Sequence, residues 1–259
     1  MDVRKLNVNM FEPEFYEVED LRLAIFSTKG TRADGEKNED SCGVVHFGGK
    51  QLALVVSDGL GGHKMGGRAS KIVIGTTLGR KSKERRPLKA HQFYDKIEKS
   101  HKKISALGTN AGATLVAALL EDKSLRFYTV GDSSGFLISV EGDVKYRTLE
   151  HSVVGFATEA GVLGPKEARN HKESHIILNC LGFWDSRVEG SFEMEMISGD
   201  TVVLCSDGLT EVLTKKEIVS KLVGAKFQNG VLDLLSKAIK RRKGRDFFDD
   251  MTFVICQKK

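Results

Sequence analysis

Proline is scarce, with 3 in 259 residues against 27 glycines. That excludes a proline-rich or linker-like chain and favours tight turns in a folded one. The four cysteines, Cys42, Cys180, Cys205 and Cys256, contain no C-x-x-C pair, so a cysteine zinc motif is absent. Three of them lie in apolar runs, as buried free thiols do, and a reducing, cytoplasmic setting is expected. No apolar run approaches the ~20 residues of a membrane span. Residues 1–20 lack the apolar stretch of a secretory signal. No membrane partner is therefore expected. Net charge is only +5, too small to imply nucleic acid, though it suits an acidic or phosphorylated partner. The basic clusters at 80–86 and 240–245 read as solvated helix ends and loops. No repeat or low-complexity segment is present.

What the chain does have is the composition of a soluble globular protein, 40% hydrophobic and 29% charged. Short runs rich in β-branched residues recur at 23–26, 42–47, 52–56, 113–120, 125–130, 135–140, 201–205 and 252–256. Their length predicts strands. Several are continuously apolar, which suggests sheets covered on both faces. A hairpin or meander is expected over 113–140, with turns at 121–123 and 131–132. Helical spacing predicts helices over 66–79, 91–107 and 229–242, with another at 153–161. Thr214 followed by Glu217 predicts a capping box at the start of a further helix. The sum is an α+β layered domain.

The chemistry lies where strands end. The run at 52–57 meets Asp58-Gly59, that at 125–130 meets Gly131-Asp132, and that at 201–206 meets Asp207-Gly208, with Glu211 four residues on. Asp249-Asp250 opens the last strand, and Glu39-Asp40 opens the one at 42. One Asp-Gly is an ordinary turn. However, LALVVSDGLGGH and TVVLCSDGLTEVL both place Ser-Asp-Gly-Leu after an apolar strand. Carboxylates gathered at one sheet edge would repel unless cations sit among them, and oxygen-only ligands suit hard ions such as Mg²⁺ or Mn²⁺. Two such ions can activate a water for attack on phosphorus. The glycine-rich loop after Asp58 also imitates a nucleotide loop. It lacks the Gly-Lys-Ser/Thr of a Walker loop, and Lys64 stands where a dinucleotide fingerprint needs glycine.

The strings KNED (37–40), VVSDGLGGH (55–63), GATLVAALL (112–120), FYTVGDSS (127–134), EHS (150–152), VVLCSDGLTEV (202–212) and DDMTFVI (249–255) resemble, in order, the metal-dependent protein phosphatase family of type 2C, short bacterial members above all. The resemblance implies a central β-sandwich of two mainly antiparallel sheets flanked by antiparallel helix pairs. Residues 1–20 would be an N-terminal extension and 21–259 a single domain. It implies a serine/threonine phosphatase using direct attack by a water or hydroxide that bridges two ions, Mn²⁺ or Mg²⁺, with a weaker third. Asp58 would bridge the pair, with the Gly59 carbonyl on one ion and Asp207 and Asp249 on the other. Asp40 and Glu39 would hold water in the outer shell, and Asp132, Asp207 and Glu211 would form the third site. Partners would be phosphorylated proteins and a cognate kinase, with the chain a monomer.

Several positions depart from the family pattern. Gly35 stands where an arginine usually grips phosphate, which leaves Arg32 as the candidate, with Lys37 nearby. Glu211 replaces an aspartate, Asp250 an asparagine, and Ser134 an arginine. His63 is a candidate general acid, whereas His151 reads as structural. The missing arginine leaves open a regulatory module that keeps the fold without turnover. A two-metal hydrolase of nucleotides or phosphodiesters is the third reading.

Overall fold

Strands buried on both faces divide their side chains between two cores. In β5 (Gln51–Ser57), Leu52, Leu54 and Val56 join one apolar cluster, while Ala53 and Val55 join another. That alternation explains why the run is apolar without a break. The computed structural model describes residues 1–31, 37–60, 65–79, 86–108, 111–164, 167–168, 171–183, 185–243 and 247–259.

Two antiparallel sheets stack on the first cluster. One runs in the order β1 (Asp2–Leu6), β4 (Ser41–Gly48), β5, β8 (Leu115–Glu121), β9 (Ser124–Val130), β12 (Glu189–Gly190), and β13 (Met194–Glu195) also pairs with β9. The other runs β11 (Val144–Arg147), β10 (Ser134–Ile138), β14 (Thr201–Cys205), β15 (Met251–Lys258), β3 (Leu21–Thr28), β2 (Glu14–Val18). A short ribbon pairs β6 (Gly59–Leu60) with β7 (Gly112–Ala113). Leu54, Val116 and Phe127 of the first sheet meet Ile25, Leu204 and Val254 of the second, all essentially dry.

Helices cover both outer faces. On the first sheet lie α1 (Gly66–Thr77) and α2 (Ala90–Ser105), through Val73, Ile74, Phe93, Ile97 and Ile104. On the second lie α4 (Asp207–Thr210), α5 (Lys215–Leu222) and α6 (Phe227–Arg242), through Leu209, Ile218, Val231 and Leu234. The short α3 (Val153–Glu159) stands in the long connection from β11 to β12. Both halves of the Thr214 box form: the Glu217 amide donates to Thr214 Oγ1 at 3.1 Å, and the Thr214 amide donates to Glu217 Oε2 at 2.9 Å. The layers are helices, sheet, sheet, helices, the α+β sandwich that was expected.

Two expectations need correction. Residues 1–20, read as an extension, supply β1 to one sheet and β2 to the other, so they form part of both. The segment 113–140 is a hairpin only as far as Val130. After the Gly131-Asp132 turn, β10 pairs with β14 in the opposite sheet, so the chain crosses the sandwich there. Both sheets need Leu and Val on their inner face, and sequence pattern cannot tell one inner face from the other.

Candidate metal centre

All five acidic strand ends lie at one end of the sandwich. Ser41 pairs with Ser57, which sets Asp40 and Asp58 side by side at the mouth of the first sheet. Cys205 pairs with both Ser134 and Phe253, which brings Asp132, Asp207 and the Asp249-Asp250 pair to the mouth of the second. The Ser206 hydroxyl donates to Asp40 Oδ2 at 2.8 Å and so joins the two mouths.

The backbone there is fixed by close approach and by short-range hydrogen bonds. The amide of Asp58 donates to Thr114 Oγ1 at 2.9 Å, and its carbonyl accepts from the Thr114 amide at 2.8 Å. Asn38 Oδ1 accepts the Asp40 amide at 2.8 Å, an Asx turn that aims Asp40 inward. Glu39 Oε1 accepts the Gly67 amide at 3.2 Å, at the positive end of α1. Gly59 and Gly208 permit the packing. A Cβ on Gly59 would stand 2.3 Å from the Gly66 carbonyl, and one on Gly208 would stand 1.9 Å from the carbonyl oxygen of Asp250. The repeated Ser-Asp-Gly is therefore a packing requirement as well as a turn.

Electrostatics argue for cations. Burial, reinforced by Asp40, Asp207, Asp249 and Asp132, pushes the Asp58 carboxyl well above the usual range. Asp207 is pushed up in the same way by burial and then by Asp249, Asp132, Glu211 and Asp40. Asp40 is raised to about 7 by burial and then Asp250, and Asp132 to about 7 by burial and then Glu150. Asp40, Asp132 and Asp207 each raise Asp58, so the four share one space. Oδ1 of Asp40, of Asp132 and of Asp207 is buried without a hydrogen-bond partner. Such oxygens cost several kcal/mol as bare anions, and divalent ions fit them. Among the described residues no three acidic, His or Cys side chains are drawn into a closed ligand set. A cation that keeps much of its water needs only one or two carboxylates from the protein. The donor set fits that description.

Arg32 and His63 lie outside the described residues, as does Gly35. Of the other expected positions, Asp40, Asp58, Asp132, Asp207 and Asp249 converge. Glu211, at the C-terminal end of α4, acts on Asp207 and Asp132. Gly59 lies against Gly66, and Glu39 caps α1. Sequence reasoning named Asp250 only as a replacement for an asparagine and missed its role: its two oxygens accept the Gly30 amide at 2.6 Å and the Glu39 amide at 2.7 Å. It also missed Arg242, which is 4% exposed, donates to the Asp249 carbonyl and stacks over Phe248 at 4.4 Å. The doubled Asp at 249–250 was the only signal for either.

A family profile described as Protein phosphatase 2C matches residues 29–239. Serine/threonine phosphatase Stp of Listeria innocua is 31% identical over 197 residues, covering 70% of this chain and 75% of that protein. Among solved structures, serine/threonine phosphatase Stp1 from Staphylococcus aureus is similar with a TM-score of 0.78 at 27% identity, over 97% of this chain and 100% of that one. The catalytic domain of the phosphatase PstP, solved in complex with 2 manganese ions, is similar with a TM-score of 0.74 at 25% identity, over 92% of this chain and 97% of that one. The chain belongs to the protein phosphatase 2C family and is an enzyme, a metal-dependent protein phosphatase.

Proposed function

We propose that the chain hydrolyses phosphoserine and phosphothreonine in proteins, with two divalent ions, Mn²⁺ or Mg²⁺, held among Asp58, the Gly59 carbonyl, Asp207 and Asp249. When bound, such a pair lowers the pKa of water and screens phosphoryl charge. The chain's own residues prepare the place. Thr114 fixes the Asp58 backbone, Ser206 orients Asp40, and Asp250 holds the Glu39 loop against Gly30. Asp40 and Glu39 hold water beyond the ions, and Asp132, Asp207 and Glu211 take a third, weaker ion. The three buried carboxylate oxygens without partners carry this reading.

Substrates are proteins phosphorylated by a serine/threonine kinase. All four cysteines are buried free thiols, which supports a reducing, cytoplasmic setting. No helix of the described residues is long and apolar enough to cross a membrane. The test is hydrolysis of a phosphothreonine peptide with Mn²⁺. Activity should vanish with EDTA, and Asp207→Asn should lower it by two orders of magnitude or more. Turnover that persists in EDTA, or in the variant, would sink the proposal.

A further inference from the structure

His151 read as structural in the sequence, but its contacts are more directed than packing needs. It lies at the start of the long connection between β11 and β12 and is 5% exposed. Its Nδ1 accepts the Gly131 amide at 3.2 Å, and that amide belongs to the turn carrying Asp132. The same atom accepts from Asn179 Nδ2 at 2.8 Å. The Asn179 amide cannot be turned round, because its Nδ2 donates to the Arg187 carbonyl at 2.8 Å and its Oδ1 accepts the Arg187 amide at 3.1 Å. With two fixed donors on Nδ1, the ring proton sits on Nε2, 3.1 Å from Glu189 Oε2. The backbone repeats the tie. The His151 amide donates to the Gly131 carbonyl and its carbonyl accepts the Leu178 amide, both at 2.8 Å. Phe156 of α3 stacks on the ring with an interplanar angle of 8°. One imidazole therefore joins the Asp132 turn, the segment around 176–187 and β12.

We propose that His151 is a positioning residue for the Asp132 carboxylate, and that Nδ1, acting as an acceptor, sets the affinity of the weakest divalent-ion site while leaving the tighter pair alone. This rests on the reading of Asp132, Asp207 and Glu211 as that site. A group acting at one remove from a ligand changes metal affinity by 10–100-fold in other proteins. Here the chain of action is short, since the residue whose amide it accepts is the neighbour of Asp132.

Two amide variants separate the ring's two ends. In His151→Asn, the side-chain oxygen falls near Nδ1 and can still accept from Gly131 and Asn179. In His151→Gln, the amide reaches toward Nε2 and leaves Nδ1 unreplaced. Calorimetric titration with Mn²⁺ reads the ions directly, without turnover. The weakest ion should bind at least ~10-fold more weakly to His151→Gln and within ~3-fold of wild type to His151→Asn, with the tight ions unchanged in both. Glu189→Gln keeps an acceptor for Nε2–H and should leave all the ions unchanged. Should His151→Gln fail to fold, as judged by loss of the tight ions, Asn and Glu189→Gln still decide. A weakest ion lost from either of them would overturn the proposal. So would equal effects of Asn and Gln, or a wild type that binds no ion weaker than the tight pair. Failure to hydrolyse phosphopeptides is a separate result and would fall on the proposed function instead.

Discussion

Replacing Asp250 by alanine tests the architecture of the centre from behind. Asp250 is 6% exposed, and its carboxylate takes two backbone amides, those of Gly30 and Glu39, at 2.6 and 2.7 Å. Hydrogen bonds to a charged group contribute about 1.5–3 kcal/mol each, and an amide left buried without a partner costs a comparable amount. Two such bonds set a ceiling of about 6 kcal/mol. Against this stands the repulsion that Asp250 imposes on Asp40, which the substitution relieves. A net loss of about 3 kcal/mol follows, or a fall in Tm of about 6–12 °C for a domain of this size. Asp250→Asn keeps one acceptor oxygen and presents an NH₂ group to the second amide, so about half that loss is expected. The assay is a thermal melt in EDTA, where bound ions cannot mask the difference. If the alanine variant melts within ~2 °C of wild type, the two amides find water or other partners, and Asp250 does not hold the Glu39 loop.

Two further predictions follow from burial. Asp40 and Asp132 titrate at about 7 in the folded state, against 3.8 for a free carboxyl. Between those values the native state binds more protons than the unfolded one, so metal-free stability should fall as pH rises from about 4 to about 7. In EDTA the Tm should be higher at pH 5.5 than at pH 7.5, and saturating Mn²⁺ should reverse that order; a metal-free Tm that climbs through this window would refute the crowded, buried carboxylates. Leu54→Ala opens a hole between the sheets at a fully buried position and should cost about 2–5 kcal/mol in urea unfolding, with activity per folded molecule preserved. A loss under ~1 kcal/mol would place Leu54 outside the tightly packed core.

Much of the sandwich was legible because its central strands are buried on both faces. Runs such as LALVV and TVVLC admit few alternatives, and the element at 201–205 matches its predicted limits. The edge strands were not legible. DVRKL, EFYEV and VKYR are each half-exposed mixtures, and only pairing with a distant partner makes them strands. The carboxylates stood out for a local reason, an acidic residue closing or opening an apolar run, with an Asp-Gly step at Asp58 and Asp207. The groups that hold them did not. Gly30 and Asp250 are separated by 220 positions, Ser206 and Asp40 by 166, and nothing near either residue hints at the other. Arg242 looked like one more cation at a helix end, and only the fold turns it inward to meet Asp249.

The first eighteen residues finish two surfaces at once. β1 lies at one edge of its sheet beside β4, and β2 at one edge of the other beside β3. A single cut after Val18 would strip both borders and leave the unpaired backbone of two long, apolar strands facing solvent, ready templates for strand addition from another copy. One segment thus covers both borders, and it also reaches the acidic end, where the Asn7 side chain donates to the Asp40 carbonyl at 3.0 Å and the Val8 carbonyl accepts from Asn38 at 2.6 Å.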